Sequence, residues 1–193
     1  MRFSLLVGFA GAVLSVSSAM AQTAIPNSDA LVAQIRKALA NEIVTLSVSN
    51  QNKRLAGIDP QTITQLDNRW VSESASTSKP LIAATLSNPL STYLTRIQAH
   101  SVGLYTEIFV MDAVGLNVGQ SNFTSDYWQG DEAKWQKTYL AGPQAVFIDE
   151  AEWHEDSGTW RAQVNLSISD AAGAQAIGAA TFEINLTEWQ RRQ

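Results

Sequence analysis

The chain of 193 residues contains no cysteine. That excludes disulfides, thiolate nucleophiles and cysteine-ligated metals, so the fold rests on packing alone. Histidine occurs only at His100 and His154, which leaves little material for acid–base catalysis near neutral pH. Only 16% of residues are charged, the net charge is −5, and no basic run exists. Nucleic acids and anionic membranes are therefore poorly matched partners. Beyond the first twenty residues, no apolar run approaches the roughly 20 residues of a membrane span. No phosphate loop, His-Glu-x-x-His or dinucleotide fingerprint occurs. Ser76-Thr77-Ser78-Lys79 matches the penicillin-recognising Ser-x-x-Lys pattern. However, Ser125-Asp126 is followed by Tyr127 rather than Asn, and Lys137-Thr138 by Tyr139 rather than Gly, so it reads as a chance match. Gly119-Gln120-Ser121-Asn122-Phe123 lacks the final Gly of a nucleophile elbow. No catalysis, cofactor or metal is expected.

What is present begins with an export signature. Arg2 supplies a positive start, residues 3–16 are apolar or small, and Ala19-Met20-Ala21 is a small-x-small cleavage site. The run is short for an uncleaved anchor. The expectation is a signal peptide over residues 1–21 and one soluble periplasmic domain over 22–193, with a net charge of about −6 once Arg2 is removed.

That domain divides into a mainly helical part, residues 22–100, and a strand-rich part, residues 101–193. Leu31, Ile35, Leu39, Ile43 and Leu46 recur at helical spacing and predict one long helix over 29–50. Gly57-Ile58-Asp59-Pro60 breaks the chain. A second helix follows with Ile63, Leu66 and Trp70 inward, then helical residues 80–99 interrupted near Asn88-Pro89. After His100 the pattern changes to strands at 104–111 and 116–120, a short helix over 130–140, and strands at 146–153, 160–169 and 176–185. The fold class expected is α+β, helices followed by five strands with one helix inserted after the second, since the order lacks βαβ alternation.

Three blocks, in order, carry a resemblance to a family: Glu107-Ile108-Phe109-Val110-Met111-Asp112-Ala113-Val114-Gly115-Leu116-Asn117-Val118; Ser125 through Gln136, centred on Asp126-Tyr127-Trp128-Gln129-Gly130-Asp131-Glu132; and Ser167-Ile168-Ser169-Asp170-Ala171-Ala172-Gly173 with Ile177-Gly178-Ala179. Together they resemble the PAS-like extracytoplasmic sensor domains of the Cache or PDC group. The resemblance implies an α+β fold with a long N-terminal helix packed on a five-stranded antiparallel PAS-like sheet, and a small organic ligand between the sheet and the segments that cross it. Family members usually sit between two membrane helices of a receptor. This chain shows no second membrane segment and no output domain, so it resembles the free-standing periplasmic members, which need a membrane partner or act as soluble binding proteins.

The densest cluster of site-forming residue types is 126–135. Asp126, Tyr127, Trp128, Asp131 and Trp135 combine aromatic walls with acids, which suits a small polar ligand and an ammonium group above all. In a helix from Gly130, Asp131 and Trp135 share a face, and Lys134 points elsewhere. The plainer reading makes Trp128 and Trp135 core anchors and the acids helix-start residues. Tyr105, Glu107 and Phe109 alternate on one strand face, so Glu107 is a buried-acid candidate if that face meets the pocket. Asp112 fits a hairpin turn. Asp170 resembles an amine-contacting acid of ligand-binding relatives, and serves equally as a turn residue with Gly173. His154, among Glu150, Glu152, Glu155 and Asp156, reads as a solvated hairpin tip rather than a metal site.

The function expected is an extracytoplasmic sensor module without catalysis. It would bind a small polar metabolite (an amino acid, amine or carboxylate) and signal through a membrane receptor partner. The alternative is a periplasmic accessory subunit whose pocket is vestigial.

Overall fold

The computed structural model describes residue 25 and residues 27–193; the expected signal segment and its cleavage site lie outside them. Helix α1 spans Ser28–Leu39 and α2 spans Glu42–Arg54. The single long helix expected over 29–50 is therefore two helices. At the break, Asn41 takes an extended conformation and its side chain accepts from the Ile43 N–H at 3.0 Å, starting a new helix. Proline and an N-cap start the next elements. Asp59 caps α3 (Pro60–Ser74), Pro80 opens α4 (Pro80–Leu86), and Asn88 caps α5 (Pro89–His100). The start of α4 lacks its own cap. The buried Glu73 carboxylate of α3 accepts from the Leu81 and Ile82 N–H groups instead, at 2.7 and 3.1 Å.

The strands are β1 (Tyr105–Met111), β2 (Asn117–Gln120), β3 (Val146–Ile148), β4 (Glu152–His154), β5 (Thr159–Ser169) and β6 (Ala176–Asn185). A four-residue helix, α6 (Ala133–Gln136), and a 3-10 turn lie between β2 and β3, and α7 (Leu186–Arg191) closes the chain. The sheet is antiparallel with order β2-β1-β6-β5-β3; β4 pairs with the other end of β5. Six strands thus fill five positions, because the expected strand over 146–153 divides at Asp149-Glu150-Ala151 and both pieces lie along one edge. This is the expected α+β arrangement, with α1, α2 and α5 on one face of the sheet and the short α6 on the other.

Alternation decides what each face carries. Ile108, Val110, Val164, Leu166, Phe182 and Ile184 pack against Leu31, Ile35, Val44, Val48, Leu90 and Leu94 of the helices. That is the main core. Phe109, Met111 and Ala179 belong to the opposite face, in a smaller cluster under Trp135 and Tyr139. A third cluster centres on Trp70 of α3, whose ring is stacked between Phe123 and Tyr127 at 5.4 and 5.2 Å.

Candidate ligand site

The β1–β2 hairpin is built around Asp112, which is fully buried. Its Oδ1 accepts from the Val114 and Leu116 N–H groups, both at 2.9 Å, and its Oδ2 accepts from Gln51 Nε2 at 2.9 Å. Burial pushes this carboxyl up, and those hydrogen bonds pull against the rise. Gly115 takes φ 87°, and a Cβ there would lie 2.5 Å from the Gly130 Cα. The absence of side chains at both glycines lets the 126–130 segment lie directly on the hairpin. Trp128 Nε1 donates to the Val114 carbonyl at 2.8 Å.

Asp67 of α3 holds the start of that segment, accepting from the Tyr127 and Trp128 N–H groups at 2.9 and 3.0 Å. The Asp126 carbonyl accepts from Asn117, Thr124 and Gln129 side chains. The chain then crosses the sheet face opposite the helices. There α6 begins at Ala133, not at Gly130, so Asp131 precedes the helix and is exposed. Trp135 donates from Nε1 to the Asp112 carbonyl at 3.0 Å, stacks on Tyr139 at 4.9 Å and covers Phe109 and Met111. Lys134 also turns inward, with Nζ 5.5 Å from the Phe109 ring centroid. Both side chains reach the sheet because α6 is a single turn lying against it.

Under this crossover sits a cluster of charges on the sheet. Glu107 of β1 pairs across the ladder with Glu183 of β6, which pairs with Gln163 of β5. Arg161 Nη1 donates to Glu183 at 2.8 Å, His154 approaches the same carboxylate at 3.9 Å, and Thr106 donates to it. No hydrogen bond or ion pair among the described residues holds Glu107. Burial and the neighbouring Glu183 charge push its carboxyl from 4.5 up to about 7, against the pull of Lys134 and Arg161. Two cavities open here. One, of about 180 Å³, is walled by Glu107, Phe109, Thr124, Gln129, Lys134 and Gln163. The other, of about 220 Å³, is walled by Lys134, His154, Arg161, Gln163 and Glu183. They adjoin at Lys134 and Gln163, which wall both, and the trough is this pair of cavities.

Of the residues singled out in the sequence, Glu107 lines the trough and Trp135 roofs the adjoining apolar patch. Tyr105 does not share a face with Glu107: a bulge between Tyr105 and Glu107 shifts the register. Tyr105 therefore turns into the helical core, edge-to-face with Phe182 at 5.2 Å, and burial pushes its phenol up to about 12. Tyr127 and Trp128 pack in the cluster around Trp70. The Asp126 carboxylate accepts from Ser125 Oγ, and Asp170 accepts from the Ala174 N–H within its turn. Neither of these acids, nor Asp131, lines the trough. Sequence reasoning missed Arg161, Gln163 and Glu183. Their signal was the polar half of the alternation in β5 and β6. Among the described residues no His/Asp/Glu group is arranged to hold a metal ion, and no helix is long and apolar enough to cross a membrane.

No family model and no curated protein matches this chain. Solved structures do match, among them ligand-binding or sensor domains of chemoreceptors and histidine kinases. The ligand-binding domain of the Pseudomonas aeruginosa PAO1 amino-acid chemoreceptor PctC, in complex with GABA, is 14% identical with a TM-score of 0.38; the match covers 86% of this chain and 65% of that one. The sensor domain of the Vibrio cholerae histidine kinase DctB is 17% identical with a TM-score of 0.37, covering 84% and 59%. The ligand-binding domain of the Campylobacter jejuni chemoreceptor Tlp3, in complex with L-valine, is 11% identical with a TM-score of 0.39, covering 85% and 63%. This chain spans less than two thirds of each of them.

Proposed function

We propose that this chain is an extracytoplasmic sensor module that binds a small metabolite in the Glu107–Glu183 trough, performs no catalysis and signals through a membrane partner. One observation carries the reading. A half-buried carboxylate without a hydrogen-bonded partner lines a cavity, 107 and 183 being like charges opposed across one ladder. Like charges so placed destabilise the empty fold. A ligand ammonium between them relieves that repulsion, and Lys134 is positioned at the same wall for a carboxylate. The favoured ligand is therefore an amine or an amino acid. Each cavity is smaller than the roughly 300–1,000 Å³ of drug-sized sites, which suits a small metabolite. Trp135 would transmit occupancy, because it links the crossover to the Asp112 turn.

A thermal-shift screen against amino acids, amines and organic acids tests this. A ligand at about 100 times its dissociation constant adds roughly 2.7 kcal/mol. The expected result is a shift with ammonium-bearing compounds that disappears in Glu107→Gln. A folded protein that shifts with none of them would sink the reading.

A second reading, an accessory subunit with a vestigial pocket, is favoured by one other observation. Trp153 and Trp160 are 49% and 44% exposed and meet edge-to-face at 5.7 Å on the β4–β5 edge. Exposed tryptophans of this kind are frequent anchors of protein interfaces.

A further inference from the structure

One cavity lies away from the trough, on the helical side of the sheet. It measures about 490 Å³, within the range of small-molecule sites, and opens between α2, α4 and α5. Helix α2 explains it. Val44, Val48 and Gln51 face the sheet and are buried. The next face carries Ile43, Leu46 and, two to three turns on, Arg54. Leu46 is 56% exposed, although its spacing with Leu39 and Ile43 marks an inward face. Nothing of the described chain covers it; it borders the cavity with Ile43, Leu81 and Val118.

Among the described residues, Arg54 is the only charged side chain on the walls. Its nearest hydrogen-bonding contact is a long one, Nη2 to Gln51 Oε1 at 3.5 Å, and it forms no ion pair among the described residues. Tyr127 closes the far wall. Burial pushes its phenol up, and the Thr85 and Arg54 side chains pull against that rise. The walls are fixed before any ligand arrives. Gln51 Nε2 donates to Asp112 Oδ2 and to the Asn117 carbonyl, Asn88 Nδ2 to the Val118 carbonyl at 2.8 Å, and Ser91 Oγ to the Thr85 carbonyl at 2.6 Å.

We propose that this cavity is a second ligand site, which takes a monoanionic carboxylate with a compact apolar body. Arg54 holds the carboxylate, and Ile43, Leu46 and Leu81 receive the apolar part. A single guanidinium matches one negative charge, in a geometry that suits a carboxylate. The Asp112 carboxylate behind Gln51 disfavours a dianion. The site is independent of the trough, which lies on the other face of the sheet.

Calorimetric titration of the full chain with hexanoate, and with hexanamide as its uncharged counterpart, tests this. Hexanoate is expected to bind with a dissociation constant of about 1 mM or tighter. Hexanamide, and hexanoate with Arg54→Gln, should each bind at least about tenfold more weakly, which corresponds to about 1.4 kcal/mol. Leu46→Asp should remove binding. Both substituted positions are exposed, so an unchanged melting temperature confirms that the variants fold. Absence of hexanoate binding to the wild-type chain, equal binding of hexanamide, or a loss that follows Arg161→Gln instead of Arg54→Gln overturns the proposal. The last of these outcomes would place the carboxylate in the trough.

Discussion

At the scale of single residues, Glu107 has the clearest energetic consequence. Its carboxyl is raised from 4.5 to about 7 by burial and by Glu183. An acid raised on folding holds its proton in the native state after the unfolded chain has released it. Stability therefore falls as pH rises from 4.5 through about 7, and is constant on either side of that window as far as this group is concerned. At 1.36 kcal/mol for each pH unit, the loss approaches roughly 3 kcal/mol. Glu107→Gln removes the charge and keeps the shape. Its midpoint in urea should exceed that of the parent at pH 8, and the difference should vanish near pH 4.5. Equal pH dependence in both proteins would show that Glu107 ionises normally. The same logic applies to binding. An ammonium ligand favours ionised Glu107, so its affinity should rise with pH up to about 7.

At the scale of elements, close approach sets the registers. Gly178 of β6 is buried beside β1, and a Cβ there would lie 2.2 Å from the Met111 carbonyl oxygen and 3.0 Å from Val48 Cγ1. The carbonyl belongs to a paired strand and has little freedom to move. Gly178→Ala should therefore cost about 1–3 kcal/mol, the range for overpacking, measured by denaturant unfolding. A neutral result would mean that the end of β1 can shift away. Element ends behave more simply. Asn41, Asp59 and Asn88 each accept a hydrogen bond from the following turn, so three helix starts are fixed by local chemistry.

At the scale of the molecule, the sheet separates two unlike environments. One face carries the continuous apolar core; the other combines a small apolar patch under Trp135 with the charged trough. Strand β6 lies between the long strands β1 and β5, and its ladders run nearly its whole length. The edge pieces β3 and β4 have three residues each. Amide hydrogen exchange should therefore be slowest in β6 and the facing parts of β1 and β5, and fastest over residues 149–158 and 170–175. Slow exchange in β4 with fast exchange in β6 would contradict this topology.

The sequence by itself determined the order of helices and strands, except that it ran α1 into α2 and β3 into β4 and gave no sign of α7. Helical spacing, proline and cap residues placed α3 to α5, and the turn residues at 156–158 and 170–173, with alternation at Val164, Leu166 and Ile168, placed the two longest strands. These signals are local, and the hydrogen bonds they anticipate are local too. It also marked Glu107 and Trp135, whose places on the sheet face follow from strand alternation and aromatic size. Only the tertiary structure decided the rest. The bulge at Thr106 separates Tyr105 from Glu107, and no spacing rule announces a bulge. Glu73 caps a helix that starts seven residues later, and Asp67 holds a segment sixty residues away. Arg161 and Glu183 meet Glu107 only because β5, β6 and β1 lie side by side. Pairing of strands distant in sequence is set by how the whole chain packs, and so no local pattern records it.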